Sequence, residues 1–319
     1  MFSFISRPFA GSPIPTATYA LAPSQYILGS EQDDLLTGGR GNDQIRGNGG
    51  DDILVGGGGS DLIDGGDGDD RIFGSADGSL TALGGAGNDR IVGGDGKDML
   101  LGESGNDTID GGQGNDLILG GDGVDKLIGG RGDDTIFGGD GDDKIDGGTG
   151  NDALNGDDGD DVIEGSEGDD VIHGGVGRDI IVGGEGHDTL YGDAGADTFA
   201  IRVVNSVSED EVFGGDGVDQ VVLAESGVAL GSLSAHLHSI ERIDLGNHGN
   251  TLVITANDVL DVSDNDYLYV DGGASDHIVV TGWAKDGTVT DNGTTYDQYT
   301  AVVSGQVAHL LVDAAIDQA

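Results

Sequence analysis

From Gly38 to Phe73, and again from Gly84 to Ala200, the chain repeats every nine residues, and no other feature restricts its fold so tightly. Each nonamer has glycine first and fourth, aspartate sixth and an apolar residue eighth, and seventeen units keep all four positions. The sixth-position aspartates are Asp43, Asp52, Asp61, Asp70, Asp89, Asp98, Asp107, Asp116, Asp125, Asp134, Asp143, Asp152, Asp161, Asp170, Asp179, Asp188 and Asp197. The eighth positions run Ile45, Leu54, Ile63, Ile72, Ile91, Leu100, Ile109 and onward to Leu190 and Phe199. A ten-residue unit, GSADGSLTAL (74–83), interrupts the array, and GSEQDDLLT (29–37) is a worn first copy.

A period this short leaves room for a glycine turn and a strand of three residues. Glycine permits positive φ and close backbone approach at no steric cost. In a three-residue strand the middle side chain faces one way and its neighbours the other. The eighth-position column therefore fills a thin interior, stacked copy on copy. Proline would remove ladder donors, and none occurs after Pro23.

Composition alone points elsewhere. Thirteen Lys and Arg against sixty Asp and Glu give a formal net charge of −47, with 65 glycines and 5% aromatic residues. Such a balance belongs to disordered chains, and only the periodicity overrules it. The charge excludes nucleic acid as an electrostatically attracted partner and favours cations or basic surfaces. With no cysteine there is no disulfide or thiolate metal site. No apolar run approaches about eighteen residues, so no helix is expected to cross a membrane. The start, MFSFISRPFAGSPIPTATYALAPSQY, carries one arginine and four prolines, which makes a poor cleavable signal peptide. Residues 1–28 are expected as a flexible, proline-containing leader.

The nonamers resemble the RTX family, the hemolysin-type calcium-binding nonapeptide GGxGxDxUx. The resemblance implies an all-β fold, a parallel β-roll over 29–200, in which six residues turn, three form a strand and two nonamers complete a coil. Units two apart then lie on the same side, about 4.8 Å apart along the axis. Aspartate columns at that spacing repel unless a cation sits between them. Carboxylates with turn carbonyls form a flexible, all-oxygen environment that suits Ca²⁺ better than Mg²⁺ or a transition metal. The family pattern shares each ion between one turn and the sixth-position aspartate of a same-side neighbour. Complete pairs within the two arrays number about thirteen, and that many divalent ions would reduce the charge from −47 to about −21. Because such sites are absent from the unfolded chain, binding and folding become one event.

After Ala200 one echo remains, GGDGVDQVV (214–222), with Asp219 in the sixth place. Beyond it TLVIT, YLYV, HIVVTGW, TTYDQYTAVV and VAHLLV alternate as strands do. Residues 201–319 are expected to form a β-rich domain that caps the roll, with Trp283 in its core. The segments SIERIDL, TLVITANDVLDVSDNDYLYVDGGASDHIVV and VAHLLVDAAIDQA resemble the C-terminal region of large RTX adhesins, which implies an uncleaved signal read by a type I secretion exporter.

No HExxH and no serine in a G-x-S-x-G elbow occurs, so neither a zinc protease nor a lipase of that kind is encoded. His236 and His238 alone make too thin a metal site. Outward positions seven and nine bring Met99, Leu101, Leu117, Leu119 and Phe137 onto one sheet face, an apolar patch suited to docking. The expectation is a secreted bacterial calcium-binding protein without catalysis, acting outside the cell as a structural, adhesive or surface-interaction module. Its partner would be a surface, a glycan or a protein. A membrane-active small RTX protein or a carbohydrate-binding RTX module are the alternatives. An ice-binding face would need a regular threonine file, whereas third positions run Arg40, Asp67, Ala86, Asp95, Gln113, Arg131 and Thr149.

Overall fold

A computed structural model describes residues 24–201, 210–223, 236–246, 249–263, 265, 267–280 and 282–318. The chain divides into two compact units, Met1–Gly168 and Asp169–Ala319. It is an all-β protein built on a parallel β-roll, with one short helix among the described residues.

In the first unit successive strands alternate between two parallel sheets. One holds Tyr26–Leu28, Gln44–Gly49, Asp61–Asp67, Leu80–Ala86, Met99–Ser104, Leu117–Asp122, Thr135–Asp140 and Ala153–Asp158. The other holds Leu35–Arg40, Ile53–Gly58, Arg71–Ser75, Arg90–Asp95, Thr108–Gln113, Lys126–Arg131, Lys144–Thr149 and Val162–Glu167. Neighbours are one coil apart, as in Leu100↔Ile118↔Ile136. The eighth-position column is the core: Leu54, Ile91, Leu100, Ile109, Ile118, Leu127 and Ile136 are all 0% exposed. Each buried aliphatic side chain contributes about 1.5–3 kcal/mol, and the column supplies that once per nonamer.

Most strands of the roll are six or seven residues long where three were expected. Pairing resumes past the bend, so Gly121↔Gly139 and Asp122↔Asp140 extend the ladder begun by Leu117↔Thr135. The first glycine of each unit is the bend itself and drops out of the register. The second and fourth positions require positive φ, 104° at Gly112 and 131° at Gly114. Where the second position is not glycine the strain is kept, with φ of 75° at Glu103 and 70° at Asp157.

The roll also begins earlier than the first recognisable nonamer. Tyr26–Leu28 pairs with Gln44–Arg46, and Gln25 donates its backbone N–H to Asp43 as a sixth-position residue would. The leader expected over 1–28 therefore does not extend over Gln25–Leu28, and the rest of that expectation, residues 1–23, lies outside the described residues. The ten-residue unit does not break the coil either. Asp61↔Leu80 and Ile63↔Ala82 keep register, so Leu80 stands in the aspartate's place and Ala82 in the core column.

In the second unit Val171–Gly177, Thr189–Gly195, Glu211–Gly217 and Leu237–His238 form one parallel sheet. Ile180–Glu185, Thr198–Ile201, Gln220–Leu223, Arg242–Asp244, Tyr267–Asp271 and Gln306–Asp313 form another, extended by Thr294–Val303 and Ala284–Asp291 in antiparallel pairing. The coil thus outlives the nonamer: Phe199↔Val221↔Ile243↔Val270 continues it at wider spacing. A small parallel sheet of Thr251–Ile254, His277–Val280 and Asp317–Gln318 lies in the same unit. The helix Ala256–Val262 is fixed by a Thr255/Asp258 capping box. Trp283 is half-buried rather than in the core, its Nε1 donating to the Ile254 carbonyl at 3.3 Å. No helix among the described residues is long and apolar enough to cross a membrane.

Candidate metal centres

Every sixth-position aspartate is buried, between 0% and 6% exposed. The reason is local. The side chain leaves the turn just before the eighth-position residue enters the core, so it points back under its own turn. Asp116 shows the pattern: its Oδ1 accepts the Asp98 N–H at 2.8 Å, and its own N–H donates to Asp134 Oδ1 at 2.7 Å. In the first unit one file runs Asp43, Asp61, Leu80, Asp98, Asp116, Asp134, Asp152. The other runs Asp34, Asp52, Asp70, Asp89, Asp107, Asp125, Asp143, Asp161. The second unit has Asp170, Asp188, Asp210 and, separately, Asp179, Asp197, Asp219, Glu241. All eighteen expected residues stand in these files.

The second carboxylate oxygen decides what the files are for. Oδ2 of Asp43, Asp52, Asp70, Asp89, Asp98, Asp107, Asp116, Asp125, Asp134, Asp143, Asp188, Asp197 and Asp219 is buried and accepts no hydrogen bond. An unsatisfied buried carboxylate oxygen is costly, and here the cost recurs coil after coil. Burial pushes the carboxyls of Asp70, Asp107, Asp116, Asp143 and Asp197 up to about 7, and those of Asp52, Asp89 and Asp134 up to about 6. The amide bonded to Oδ1 pulls each down, and nearby carboxylates raise it again.

A methyl group on Gly111 would lie 2.6 Å from Asp116 Oδ2 and 2.6 Å from the Gly129 carbonyl oxygen. The first glycine therefore keeps open a cradle bounded by a carboxylate of its own unit and a carbonyl of the next coil. Its donors are hard oxygens, which suit Ca²⁺. Among the described residues no three His, Asp or Glu side chains form a compact metal cluster. The donor set accordingly draws on main-chain oxygen as well as carboxylate. Gly111→Ala is expected to fill the cradle and lower stability in calcium by about 1–3 kcal/mol. Gly58→Ala, whose added carbon meets nothing nearer than 3.9 Å, is expected to be near neutral. Urea midpoints at fixed calcium check both.

A parallel β-roll with a buried carboxylate file along its turns is a calcium-binding solenoid. The profile of the RTX calcium-binding nonapeptide repeat matches residues 28–63, 46–78, 83–118, 119–154, 146–181, 155–190 and 173–200. These spans cover more than half of the chain, which belongs to that family and binds calcium through its repeats. A comparison with curated proteins gives no match.

Two further features escape a nonamer pattern, and a third was expected from it. Fifth-position Asn and Asp form a second ladder of opposite polarity, as where Ser60 N–H donates to Asn42 Oδ1 and Asn106 N–H to Asn88 Oδ1. The rings of His173, Tyr191, Phe213 and His238 stack at 4.4, 4.9 and 4.6 Å, one per coil. Register also places Met99, Leu117 and Thr135 in one outward column and Leu101, Leu119 and Phe137 in the next. Met99 and Phe137 are 44% and 37% exposed, the three leucines half-buried. A groove of about 440 Å³ runs past Leu80, Lys97, Met99, Leu117 and Thr135.

Proposed function

We propose that this calcium-binding chain is a secreted, non-catalytic module, exported by a type I system through its C-terminal region and folded by calcium outside the cell. There it serves as a structural, adhesive or surface-interaction element. One observation carries the reading: most carboxylates of the files, Asp116 and Asp143 among them, are buried with Oδ2 accepting no hydrogen bond, so the chain is poorly folded where calcium is scarce and ordered where it is abundant. Extracellular calcium modules bind at about 10⁻⁴–10⁻³ M, which keeps such a chain extended during passage through an exporter. The apolar columns around Leu119 and Phe137 supply a docking face.

Fractionation of cells producing the chain with a type I exporter tests the proposal. The full chain is expected in the medium, protease-resistant in calcium, and a chain lacking 307–319 is expected to stay inside. Leu119→Asp with Phe137→Asp is expected to leave export intact and to weaken retention on the cell surface. Export that survives the deletion, or full-length protein held in the cytoplasm, overturns the secretion reading; unchanged surface retention removes the docking face.

A further inference from the structure

We infer that Glu241 completes one more calcium site beyond the nonapeptide repeats, with Asp219 and the Ser239 carbonyl, and that this ion ties folding of the C-terminal cap to the coils of its own unit. The inference rests on the calcium reading of the repeats and extends it to a place where no repeat stands.

The repeat match ends at residue 200. Asp219 nevertheless keeps the full geometry of a sixth-position aspartate. It is 0% exposed, its Oδ1 accepts the Asp197 N–H at 2.9 Å, and its Oδ2 accepts no hydrogen bond. Gly214 precedes it by five residues, and a methyl group there would collide with Asp219 Oδ2 and with the Ser239 carbonyl oxygen. The equivalent cradle one coil earlier, at Gly192, is bounded by Asp197 Oδ2 and the Gly214 carbonyl. Ser239 thus stands where the first glycine of a further unit would, with a positive φ of 54° that the first glycines do not share.

Glu241 takes over from the aspartate. Asp219 donates its N–H to Glu241 Oε2 at 3.0 Å, as Asp197 does to Asp219 Oδ1 one coil earlier. In a nonamer five residues separate the first glycine from the aspartate, whereas Ser239 and Glu241 are two apart. The additional methylene of glutamate compensates for the shortened turn. Glu241 is 5% exposed. Two buried carboxylates and a carbonyl so placed repeat the donor chemistry of the files.

The same residue joins the cap. The Glu241 carbonyl accepts the Tyr269 N–H at 2.8 Å, and Ile240 N–H donates to the Val262 carbonyl, the last residue of the helix, at 2.9 Å. Ser263 Oγ reaches Glu241 Oε1 at 3.5 Å. An ion held at Glu241 therefore fixes the strand Arg242–Asp244 against both the helix and Tyr267–Asp271. Trp283, the single tryptophan, donates to the Ile254 carbonyl in this unit and reports on cap closure.

The test compares the full chain with Glu241→Gln, in which the amide oxygen still accepts the Asp219 N–H. Native mass spectrometry in calcium counts bound ions, while far-UV circular dichroism and Trp283 fluorescence follow calcium titrations. The substituted chain is expected to bind one ion fewer and to fold its coils near the original calcium concentration. Its tryptophan transition, coincident with the far-UV change in the unsubstituted chain, is expected to lag to about tenfold more calcium. Ser263→Ala, which keeps the carboxylate, is expected to retain the full ion count. An unchanged count with an unmoved tryptophan transition overturns the inference and leaves the repeat sites standing. Absence of any calcium-driven far-UV change in the unsubstituted chain defeats the calcium-folding reading itself. Should Glu241→Gln not fold in calcium, Glu241→Asp decides by the same two measurements, since it keeps the charge but is one methylene short.

Discussion

Calcium added to the metal-stripped chain is expected to convert a coil-like far-UV spectrum into a β spectrum in one steep transition near millimolar concentration, with magnesium at the same concentration ineffective. The expectation follows from the two oxygens of each sixth-position carboxylate. Oδ1 of Asp116 is held by the Asp98 amide, and the Asp116 amide in turn holds Asp134, so each turn is positioned by its neighbours. Oδ2 has no protein partner in most of the file, so the positioned turn is unfavourable until a cation arrives. Forming one site thus prepares the next, as nearest-neighbour coupling in a solenoid requires, and the transition should be sharper than independent binding allows. Magnesium demands near-octahedral geometry and dehydrates reluctantly, which a cradle of carboxylate and peptide oxygens does not offer. The net charge of −47 reinforces the switch, because compaction without cations works against self-repulsion. A β spectrum already present in chelator would show that the carboxylates do not gate folding, and both the site assignment and the export argument would fall with it.

The nine-residue period made the core column, the side-by-side files and the two-sheet coil legible, because each depends on a side chain whose place in the period never changes. Ile118 had to stack on Leu100 and Ile136 once two nonamers made a coil, and it does. Features that depend on backbone pairing were not legible. Nothing in Gly-Gly-Gln (111–113) signals that residues past the bend rejoin the ladder, yet Gly112 and Gln113 pair with Gly130 and Arg131. Substituted roles were hidden for a different reason. Gln25 and Leu80 contribute only a main-chain N–H to the aspartate of the following coil, at 2.6 Å in each case, and any residue can donate that bond. Asp210 and Glu241 fell out of sight because spacing in the file widens from 18 to 22 residues after Asp188. Asp219 lies across the same widened step from Asp197 but was visible because its own nonamer survives, whereas no glycine-bearing unit surrounds Asp210 or Glu241. The aromatic stack escaped because of the widening, since Tyr191 and Phe213 lie one lengthened coil apart. The apolar columns were visible because they lie wholly inside the regular part.

Acid is expected to substitute in part for calcium. The carboxyls of Asp70, Asp107, Asp116, Asp143 and Asp197 are pushed by burial from 3.8 up to about 7 in the metal-free fold. A carboxyl whose folded value lies above its unfolded one binds protons more tightly when folded. Between those two values the folded chain holds more protons than the unfolded chain, so stability falls as pH rises. The metal-free roll is therefore penalised at pH 7.5 and progressively relieved on acidification through 7 toward 4. With calcium bound the sign reverses, because ligand oxygens must be deprotonated and protons compete with the metal. Stripped protein taken from pH 7.5 to 5 should gain β signal steadily, whereas protein in millimolar calcium should show little change over the upper part of that range. The descent stops above the isoelectric point of about 4.1, where loss of net charge would promote precipitation. Replacing Asp70, Asp107, Asp116 and Asp143 together by asparagine removes the titrating groups without changing their shape. That chain should show a reduced pH response in the absence of calcium and a weakened response to calcium, two losses that share one cause. A metal-free chain as unstructured at pH 5 as at pH 7.5 would mean that buried negative charge is not what holds the apo roll open, and the glycine-rich backbone would then have to account for the disorder alone.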